Sequence, residues 1–476
     1  MRLTIAITES MLLWNSGDVE RCRNAVEKGL ALAKHDGLLA WNGLLYAQIV
    51  YNELMFGNTR AARNYLDLMQ PFATFGGNLF LFILFKGWMD CIEGHINQAW
   101  QSCQQAQTIL EAEGNLLWHT GMYHLLAAQV LAAQGRRAEA EQLLIKAEAV
   151  AQVIPGFHAF GVCFLRAQWA FQDRDEDRGT LWLRRLLEEG KKHQQITYLG
   201  WIPSEASQLL AKALELGIDV PYVREGIRKW QLKPPPDGHV PESWPWRVKI
   251  WTFGKLMVKV DGKPLEKQRK APHRLLELLA AIITFGGQDV PVSRLIEALW
   301  PEVEGDTAHG NFKKSIARLR KLIPVENLIH WQDGKISLNP DLCWVDVLAF
   351  EQQAKQEDVR AVGIYQGPLL GLEEIPFWAQ SQRDLLRTTF VRLVNRHCDR
   401  VQAGERVDEA IRSLERAIAA DPLAESLYQR LIPLLLAQGR RADAQRYYQA
   451  CIKAFRQWKD EGPSEDILRL GQSLAQ

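Results

Sequence analysis

Apolar residues recur at helical spacing along most of the chain, and one pattern repeats. In this pattern a glycine opens an Ala-rich amphipathic run. The glycines are Gly17, Gly57, Gly94, Gly135, Gly404 and Gly439. The first four follow one another at 40, 37 and 41 residues, and the last two are 35 apart. A period of about 34 to 45 residues with helical periodicity indicates paired-helix repeats that stack to bury their apolar faces. We predict such arrays in residues 1–230 and 348–476, with Asp421 capping one late helix and Pro422 in its first turn.

The helical pattern stops at residues 231–246, where five of sixteen positions are proline. Proline lacks the backbone donor that a helix needs, so this segment is a predicted linker. Apolar residues alternate in 247–267, and Asp261-Gly262 predicts a hairpin turn. Helical patterns follow in 270–287, 291–302 and 306–324, and 327–340 reads as a second hairpin. We therefore predict a mainly α fold, in which two helical-repeat arrays flank a small α+β winged helix-turn-helix domain at 247–347.

The third helix of that domain, predicted at 306–323 with Asp306 or Thr307 as its cap, has two contrasting faces. A rotation of about 100° per residue places four apolar residues in one stripe that packs on the domain core. They are Phe312, Ile316, Leu319 and Ile323. The opposite side carries Lys314, Ala317, Arg318 and Lys321, and its edges carry Asn311, Lys313 and Arg320. This face therefore presents long cations and an amide, with no carboxylate.

Such a face has the chemistry that the DNA major groove requires. Arg and Lys reach guanine acceptors, Asn pairs with adenine, and flanking cations contact phosphates. Lys314, Arg318 and Asn311 are the predicted base-contacting residues. Lys313, Arg320 and Lys321 are the predicted phosphate contacts, and Lys335 beside the second hairpin turn is predicted to add a phosphate or minor-groove contact. The predicted partner is double-stranded DNA.

Charge is distributed unevenly in a way that supports this prediction. The whole chain has a formal net charge of only +1, but residues 247–347 contain 16 Lys and Arg against 12 Asp and Glu. The counts are 23 against 26 before this segment and 18 against 18 after it. Residues 307–325 contain five cations and no acid. A local basic excess of this kind is typical of a nucleic-acid-binding surface.

Other classes of function find little support in the sequence. Catalytic motifs such as G-x-S-x-G and H-E-x-x-H, and the phosphate-binding G-x-x-x-x-G-K-[ST], do not occur, so we expect neither an enzyme nor a bound cofactor. His273 and His309 lack Cys or His neighbours at ligand spacing, and we expect no metal. Seven scattered cysteines without a C-x-x-C pair favour a reducing compartment. Without a secretion signal or a long apolar run, we expect a cytoplasmic protein that does not contact membranes.

Residues 271–323 resemble the OmpR-type winged helix of the Streptomyces antibiotic regulatory protein family, most clearly at Leu299-Trp300-Pro301 and at 318–321. The segments 345–350, 365–370, 376–386, 421–448 and 461–470 resemble the bacterial transcriptional activator domain that accompanies it. The resemblance implies a transcriptional regulator, which we expect to be an activator. It also implies that the acidic loop 302–310, between the second and third helices, contacts RNA polymerase.

The repeats of residues 1–230 resemble tetratricopeptide units and the longer repeats of MalT-type regulators. Their concave face is a candidate surface for a protein or small-molecule ligand. An alternative is an interaction scaffold whose winged domain no longer binds DNA. The sequence also leaves open whether the chain is a complete regulator or the C-terminal part of a larger ATP-dependent one.

Overall fold

The structure is a computed structural model. It describes residues 2–475 apart from 17, 194–196, 236–239, 266–272, 372, 374, 404–405 and 459–461. The chain divides into two compact units, Met1–Pro245 and Trp246–Gln476. Both consist mainly of helices, which confirms the predicted fold class. In the parts of the chain that the structure describes, every helix is too short or too polar to span a bilayer.

The first unit is a stack of helical hairpins. Its helices are α1 (Arg2–Ser16), α2 (Val19–His35), α3 (Asn42–Met55), α4 (Thr59–Met69), α5 (Gly76–Ile92), α6 (Ile96–Ala112), α7 (Leu117–Ala133), α8 (Arg137–Val153), α9 (Phe157–Gln172), α10 (Glu176–His193), α11 (Pro203–Glu215) and α12 (Val220–Lys229). Each odd-numbered helix packs on the even-numbered helix that follows it. Gly57, Gly94 and Gly135 lie in three of the hairpin turns with φ of 70°, 80° and 78°, in the left-handed region that glycine adopts without strain. Gly17 lies outside the described residues.

The odd-numbered helices form the inner layer of this stack, because α1, α3, α5, α7, α9 and α11 contact one another in succession. Residues 197–203 pack against this layer. The Trp88 Nε1 donates a hydrogen bond to the backbone carbonyl of Trp201 at 2.8 Å. The Tyr198 hydroxyl donates to Gln129 Oε1 at 3.2 Å. Tyr198 and Trp201 are almost completely buried. The chain's own residues therefore occupy this stretch of the inner face, which the sequence predicts as a ligand surface.

The second unit begins with two small sheets and three helices. They are β1 (Val248–Trp251), β2 (Met257–Val260), β3 (Lys263–Pro264), α13 (His273–Thr284), β4 (Val290–Pro291), α14 (Val292–Leu299), α15 (Gly305–Leu322), β5 (Ile329–Gln332), β6 (Lys335–Leu338) and β7 (Cys343–Val345). One sheet has the order β3-β2-β1-β7, with β7 parallel to β1 and the other pairs antiparallel. The other sheet has the antiparallel order β4-β6-β5. The predicted succession of sheet, three helices and hairpin is confirmed, whereas β7 was not predicted.

A helical array completes the second unit. It consists of α16 (Asp346–Lys355), α17 (Ala361–Ile364), α18 (Phe377–Ala403), α19 (Val407–Ala420), α20 (Glu425–Ala437), α21 (Arg441–Trp458) and α22 (Glu465–Ala475). Gly439, in the turn between α20 and α21, has φ of 69°, and Gly404 lies outside the described residues. One hydrophobic core runs from Val248 to Leu474. The subdivision of this unit at residue 347 stays a prediction.

Asp346 joins β1 to the start of α16. Its buried carboxylate accepts hydrogen bonds from the backbone N–H of Thr252 and of Phe253, both at 2.8 Å, and from the Thr252 hydroxyl at 2.7 Å. Burial raises the pKa of this carboxyl group, and the hydrogen bonds to it oppose that shift. The Phe253 ring lies 5.4 Å from Phe350 and 4.6 Å from Tyr365 between centroids. These contacts hold the end of β1 against the C-terminal array.

The predicted cap at Asp421 is wrong. Helix α20 begins at Glu425 with Ala424 as its N-cap, whereas Asp421 follows the last residue of α19 and Pro422 lies in the intervening turn. The Asp421 carboxylate is fully buried and is bonded elsewhere. It accepts hydrogen bonds from Arg387 Nε at 2.7 Å and from the Tyr365 hydroxyl at 2.9 Å. A buried carboxylate needs a charged partner more than a solvent-facing helix end needs a cap, and Arg387 supplies that partner.

Candidate nucleic-acid interface

Helix α15 is fixed in place by the apolar stripe that the sequence predicts. Phe312, Ile316, Leu319 and Ile323 are all essentially inaccessible to solvent. The Phe312 ring meets the Trp331 ring of β5 edge-on, with 5.3 Å between centroids and an interplanar angle of 85°. Full burial of each such side chain contributes about 1.5–3 kcal/mol. The orientation of the opposite face therefore follows from the packing of this one.

The start of α15 differs from the prediction. The helix begins at Gly305 with Glu304 as its N-cap, and not with Asp306 or Thr307 as the cap. The backbone carbonyl of Glu304 accepts the first helical hydrogen bond, from Ala308 N–H at 3.0 Å, and the Glu304 side chain forms no cap hydrogen bond. Asp306 instead lies in the first turn, where a negative charge favours the helix dipole. Only residues 302–304 of the predicted loop 302–310 lie outside α15.

This earlier start adds a residue that the sequence analysis missed. Thr307 is exposed, and two helical turns separate it from Lys314, so both side chains lie on the same face of α15. The spacing of seven residues between Thr307 and Lys314 already indicates a shared face, but Thr307 is one of the two residues predicted as the cap. In helix-turn-helix proteins the N-terminal residues of the recognition helix contact base edges. Thr307 therefore extends the candidate base-contacting surface.

The structure brings the predicted cations together on one exposed surface of α15, which we call the basic face. Lys313, Lys314, Arg318 and Lys321 are all exposed, and Asn311 at the edge is partly buried. Within the described residues, none of these four cations forms an ion pair or a hydrogen bond with another side chain. The acids nearest in sequence are Glu302, Glu304 and Asp306, before or at the start of the helix, and Glu326 after it. The charge of the basic face is thus free to attract an anionic partner.

Arg320 differs from the other predicted phosphate contacts. Its guanidinium donates a hydrogen bond to the backbone carbonyl of Ile329 at 2.8 Å. The residue is exposed, yet this bond ties the last turn of α15 to the first residue of β5. Arg320 therefore has a structural role inside the fold, and its contact with phosphate stays a prediction. In the sequence alone, Arg320 is not distinguishable from Lys313 as a phosphate contact.

Lys335 lies on the hairpin of β5 and β6, directly after the turn. Asp333 and Gly334 have φ of 49° and 72°, so both turn residues are left-handed, as in the tight hairpin turns that favour Asp-Gly. Lys335 pairs with Gln332 across the hairpin and with Pro291 of β4. Its side chain is exposed and, among the described residues, has no acidic partner. The hairpin is therefore a wing that presents one further cation.

The two histidines that the sequence analysis considered as metal ligands are exposed, and His309 Nδ1 lies 3.1 Å from the carbonyl oxygen of Gly305. The described residues do contain one group with metal-ligand chemistry, which the sequence analysis missed. Ligand atoms of Asp90, Glu93 and His95 lie within 4.8 Å of one another in the first unit. Arg63 forms an ion pair with Glu93 at 2.8 Å. The Arg63 guanidinium would therefore compete with a metal ion for the Glu93 carboxylate.

Residues 349–474 match the family described as bacterial transcriptional activator domain. The matched range covers most of α16 to α22 and leaves α15 and the wing outside. The regulatory protein AfsR of Streptomyces griseus is 25% identical over 243 residues, which are 48% of this chain and 24% of that protein. The chain therefore spans about a quarter of the length of this curated relative.

Similar solved structures include EmbR of Mycobacterium tuberculosis in complex with a low-affinity phosphopeptide. It is 19% identical with a TM-score of 0.33, over 48% of this chain and 65% of that one. Another is the TPR domain of P58(IPK), 12% identical with a TM-score of 0.24, over 100% of this chain and 98% of that one. By the match of residues 349–474, the C-terminal helices of this chain are similar to the bacterial transcriptional activator domain.

Proposed function

We propose that this chain is a sequence-specific DNA-binding transcriptional regulator that activates transcription, with α15 in the major groove of double-stranded DNA. The observation that carries the proposal is the basic face. Its four cations project from a helix held by a buried stripe, and as far as the described chain extends no carboxylate neutralises them. A second basic protein surface would repel this face. DNA attracts it, because DNA carries one negative charge per ~1.7 Å of helix axis.

The residues on this face have distinct proposed roles. Lys314 and Arg318 are one helical turn apart at its centre, where they can reach guanine acceptors, and Asn311 at the edge can pair with adenine. Thr307 contributes a hydroxyl group at the N-terminal end of α15, which is the end that contacts base edges in helix-turn-helix proteins. Lys313 and Lys321 contact phosphates, and Lys335 of the wing contacts the backbone or the minor groove. Arg320 contacts phosphate through the guanidinium N–H groups that are not bonded to the carbonyl of Ile329.

The comparisons support the regulatory part of the proposal. The match of residues 349–474 to the bacterial transcriptional activator domain supports a role for the helical array in transcription. The similarity to the regulatory protein AfsR also supports a regulatory function. Glu302, Glu304 and Asp306 are exposed acids around the start of α15, and we propose that they contact a basic surface of RNA polymerase. The first unit supplies the surface for a regulatory protein or small molecule.

The decisive experiment has two steps. Genome-wide mapping of the DNA bound by the full chain in its source organism first supplies a binding motif. Titration of that motif then compares wild type with Arg318→Ala and Lys314→Ala. We expect each variant to lose about 1–3 kcal/mol of binding free energy, roughly 5- to 150-fold, and to relax the preference at one base pair. Arg412→Ala, which removes an exposed cation from α19, is the matched control and should bind as wild type does.

Two outcomes would contradict the proposal. One is the absence of any enriched motif while the chain still binds protein partners, which is the result expected of an interaction scaffold. The other is identical binding of wild type, Arg318→Ala and Lys314→Ala to the mapped sequence. A transcription reporter placed downstream of the motif separates activation, which we propose, from repression.

A further inference from the structure

A cleft of about 530 Å³ opens on the C-terminal array between α17, α18 and α19. One wall is apolar, with Val359, Val362 and Ala420 partly exposed in it and Phe390 and Val394 buried behind them. The other wall carries His397 of α18 and Arg416 of α19. Cavities that hold small organic molecules usually measure about 300–1,000 Å³ and combine apolar walls with a few polar groups. The size and the lining of this cleft both fit that description.

The polar wall is suited to an anion. Arg416 and His397 have no ion-pair or hydrogen-bond partner within the described residues, and no carboxylate lines the cleft. The acids near it are already paired. Arg387 holds Asp421 at 2.7 Å, and Arg396 forms an ion pair with Glu357. The guanidinium of Arg416 is thus the strongest charge at the cleft, and nothing of opposite sign offsets it there.

The remaining polar groups add acceptors. Ser413 donates its hydroxyl proton to the backbone carbonyl of Glu409 at 2.8 Å, and Gln366 donates its amide to the carbonyl of Gly363 at 2.6 Å. The Ser413 hydroxyl proton is therefore engaged inside the fold, and Gln366 keeps one amide proton. Arg416, His397 and this amide proton remain to donate to a bound group. A planar carboxylate accepts two parallel hydrogen bonds from one guanidinium, so a carboxylate is a suitable group for Arg416 to bind.

We infer that this cleft binds a small amphipathic monocarboxylate, with the carboxylate on Arg416 and the hydrocarbon part against Val359 and Val362. This site lies apart from the basic face and does not depend on DNA binding. Tyr365 forms part of its lining and links it to the sheet of the second unit. The Tyr365 ring stacks on Phe390 with 4.1 Å between centroids, and its other neighbour is Phe253, at 4.6 Å. The buried Tyr365 ring therefore lies between the cleft and the end of β1.

The test uses the full chain with hexanoate and octanoate as probes and with 1-hexanol and 1-octanol as matched uncharged controls. Saturation-transfer NMR detects binding and calorimetry measures affinity. We expect octanoate to bind more tightly than hexanoate because it buries more CH₂ groups. We expect each alcohol to bind at least about tenfold more weakly than its acid, because it cannot form the charge-assisted pair.

Variants locate the site. Arg416→Ala should weaken octanoate binding about tenfold or more, whereas Arg416→Lys should retain part of the affinity because it keeps the charge. Arg412→Ala removes an exposed cation from the same helix outside the cleft and should leave the affinity unchanged. Arg416 is itself exposed, so its variants should fold normally, and circular dichroism checks this point.

Several results would overturn the inference. They are no binding of either acid, equal binding of acids and alcohols, and unchanged binding by Arg416→Ala. A tetrapeptide with a free C-terminal carboxylate that binds where neither fatty acid does would replace the small molecule by a peptide end. Loss of DNA binding in a basic-face variant leaves all of these measurements unaffected, so the two proposals fail separately.

Discussion

The sequence assigns Lys313 and Arg320 the same role as phosphate contacts, but the structure separates them. Lys313 is exposed and has no partner among the described residues, whereas Arg320 donates a hydrogen bond to the carbonyl of Ile329 at 2.8 Å. We therefore predict that Lys313→Ala changes DNA binding alone. Arg320→Ala should change DNA binding and also loosen the junction between α15 and β5.

The magnitudes follow from the contacts. Each phosphate contact contributes about 0.9 to the slope of log K against log salt, so four of them predict a slope of roughly −3.6. Removing one contact should reduce the magnitude of the slope by about 0.9. The ratio of the affinity at 0.1 M salt to the affinity at 1 M salt should then fall about eightfold. Lys313→Ala should alter the free energy of unfolding by less than about 0.5 kcal/mol. For Arg320→Ala we expect a loss of about 1 kcal/mol, since water partly replaces the bond at this exposed position.

The assay needs no operator, because phosphate contacts are independent of sequence. Fluorescence anisotropy with an arbitrary duplex over a series of salt concentrations gives the slopes, and thermal unfolding gives the stability. A loss of about 1 kcal/mol corresponds to about 2–4 °C in Tm for a unit of this size. Lys453→Ala, on the exposed side of α21, is the control. The reasoning is refuted if Lys313→Ala and Lys453→Ala have the same slope, or if Lys313→Ala destabilises as much as Arg320→Ala.

Two further predictions concern stability. Asp421→Ala should cost about 3–5 kcal/mol, because it leaves the guanidinium of Arg387 and the hydroxyl of Tyr365 without their buried partner; urea unfolding that shifts by less than 1 kcal/mol would contradict this. Burial raises the pKa of Glu205 from its ordinary 4.5 to about 6, against hydrogen bonds from Gln168 and Gln129. A raised acid pKa stabilises the folded state most below pH 4.5, and this contribution is lost as the pH rises through 6. Glu205→Gln should therefore raise the free energy of unfolding of the first unit at pH 7 by up to about 2 kcal/mol, measured as a higher Tm. At pH 4 the Tm should stay nearly unchanged, and an equal shift at both pH values would count against this sign.

Much of the fold and of the basic face follows from local patterns. The stripe from Phe312 to Ile323 has helical spacing, and burial of one side of a helix determines which side remains exposed. Turn chemistry identified the wing, because Asp-Gly at 333–334 readily adopts the left-handed conformations that a tight hairpin needs. These features depend on residues a few positions apart, so one sequence is enough to predict them.

The features that the sequence analysis missed depend on residues far apart in the chain. Strand β7 pairs with β1 across about a hundred residues, and its three residues are too few to show an alternating pattern. Asp421 follows the sequence rule for a helix cap, yet Arg387 and Tyr365 take its carboxylate. The bond from Arg320 to Ile329 was likewise invisible, since an exposed cation looks the same in sequence with or without a carbonyl acceptor nearby.

The same packing holds α15 and supports the array beside it. Helix α13 packs on α15 and also on α18, so it is enclosed between the helix that carries the basic face and the first long helix of the array. Asp346 adds a polar link, because its carboxylate holds the end of β1 while its backbone starts α16. A closely packed interior has low compressibility and transmits strain between the side chains that share it. Tyr365 is such a side chain, because it contacts Phe253 at the end of β1 and lines the cleft at Arg416. The cleft and the end of β1 are therefore connected inside the second unit through the Tyr365 ring.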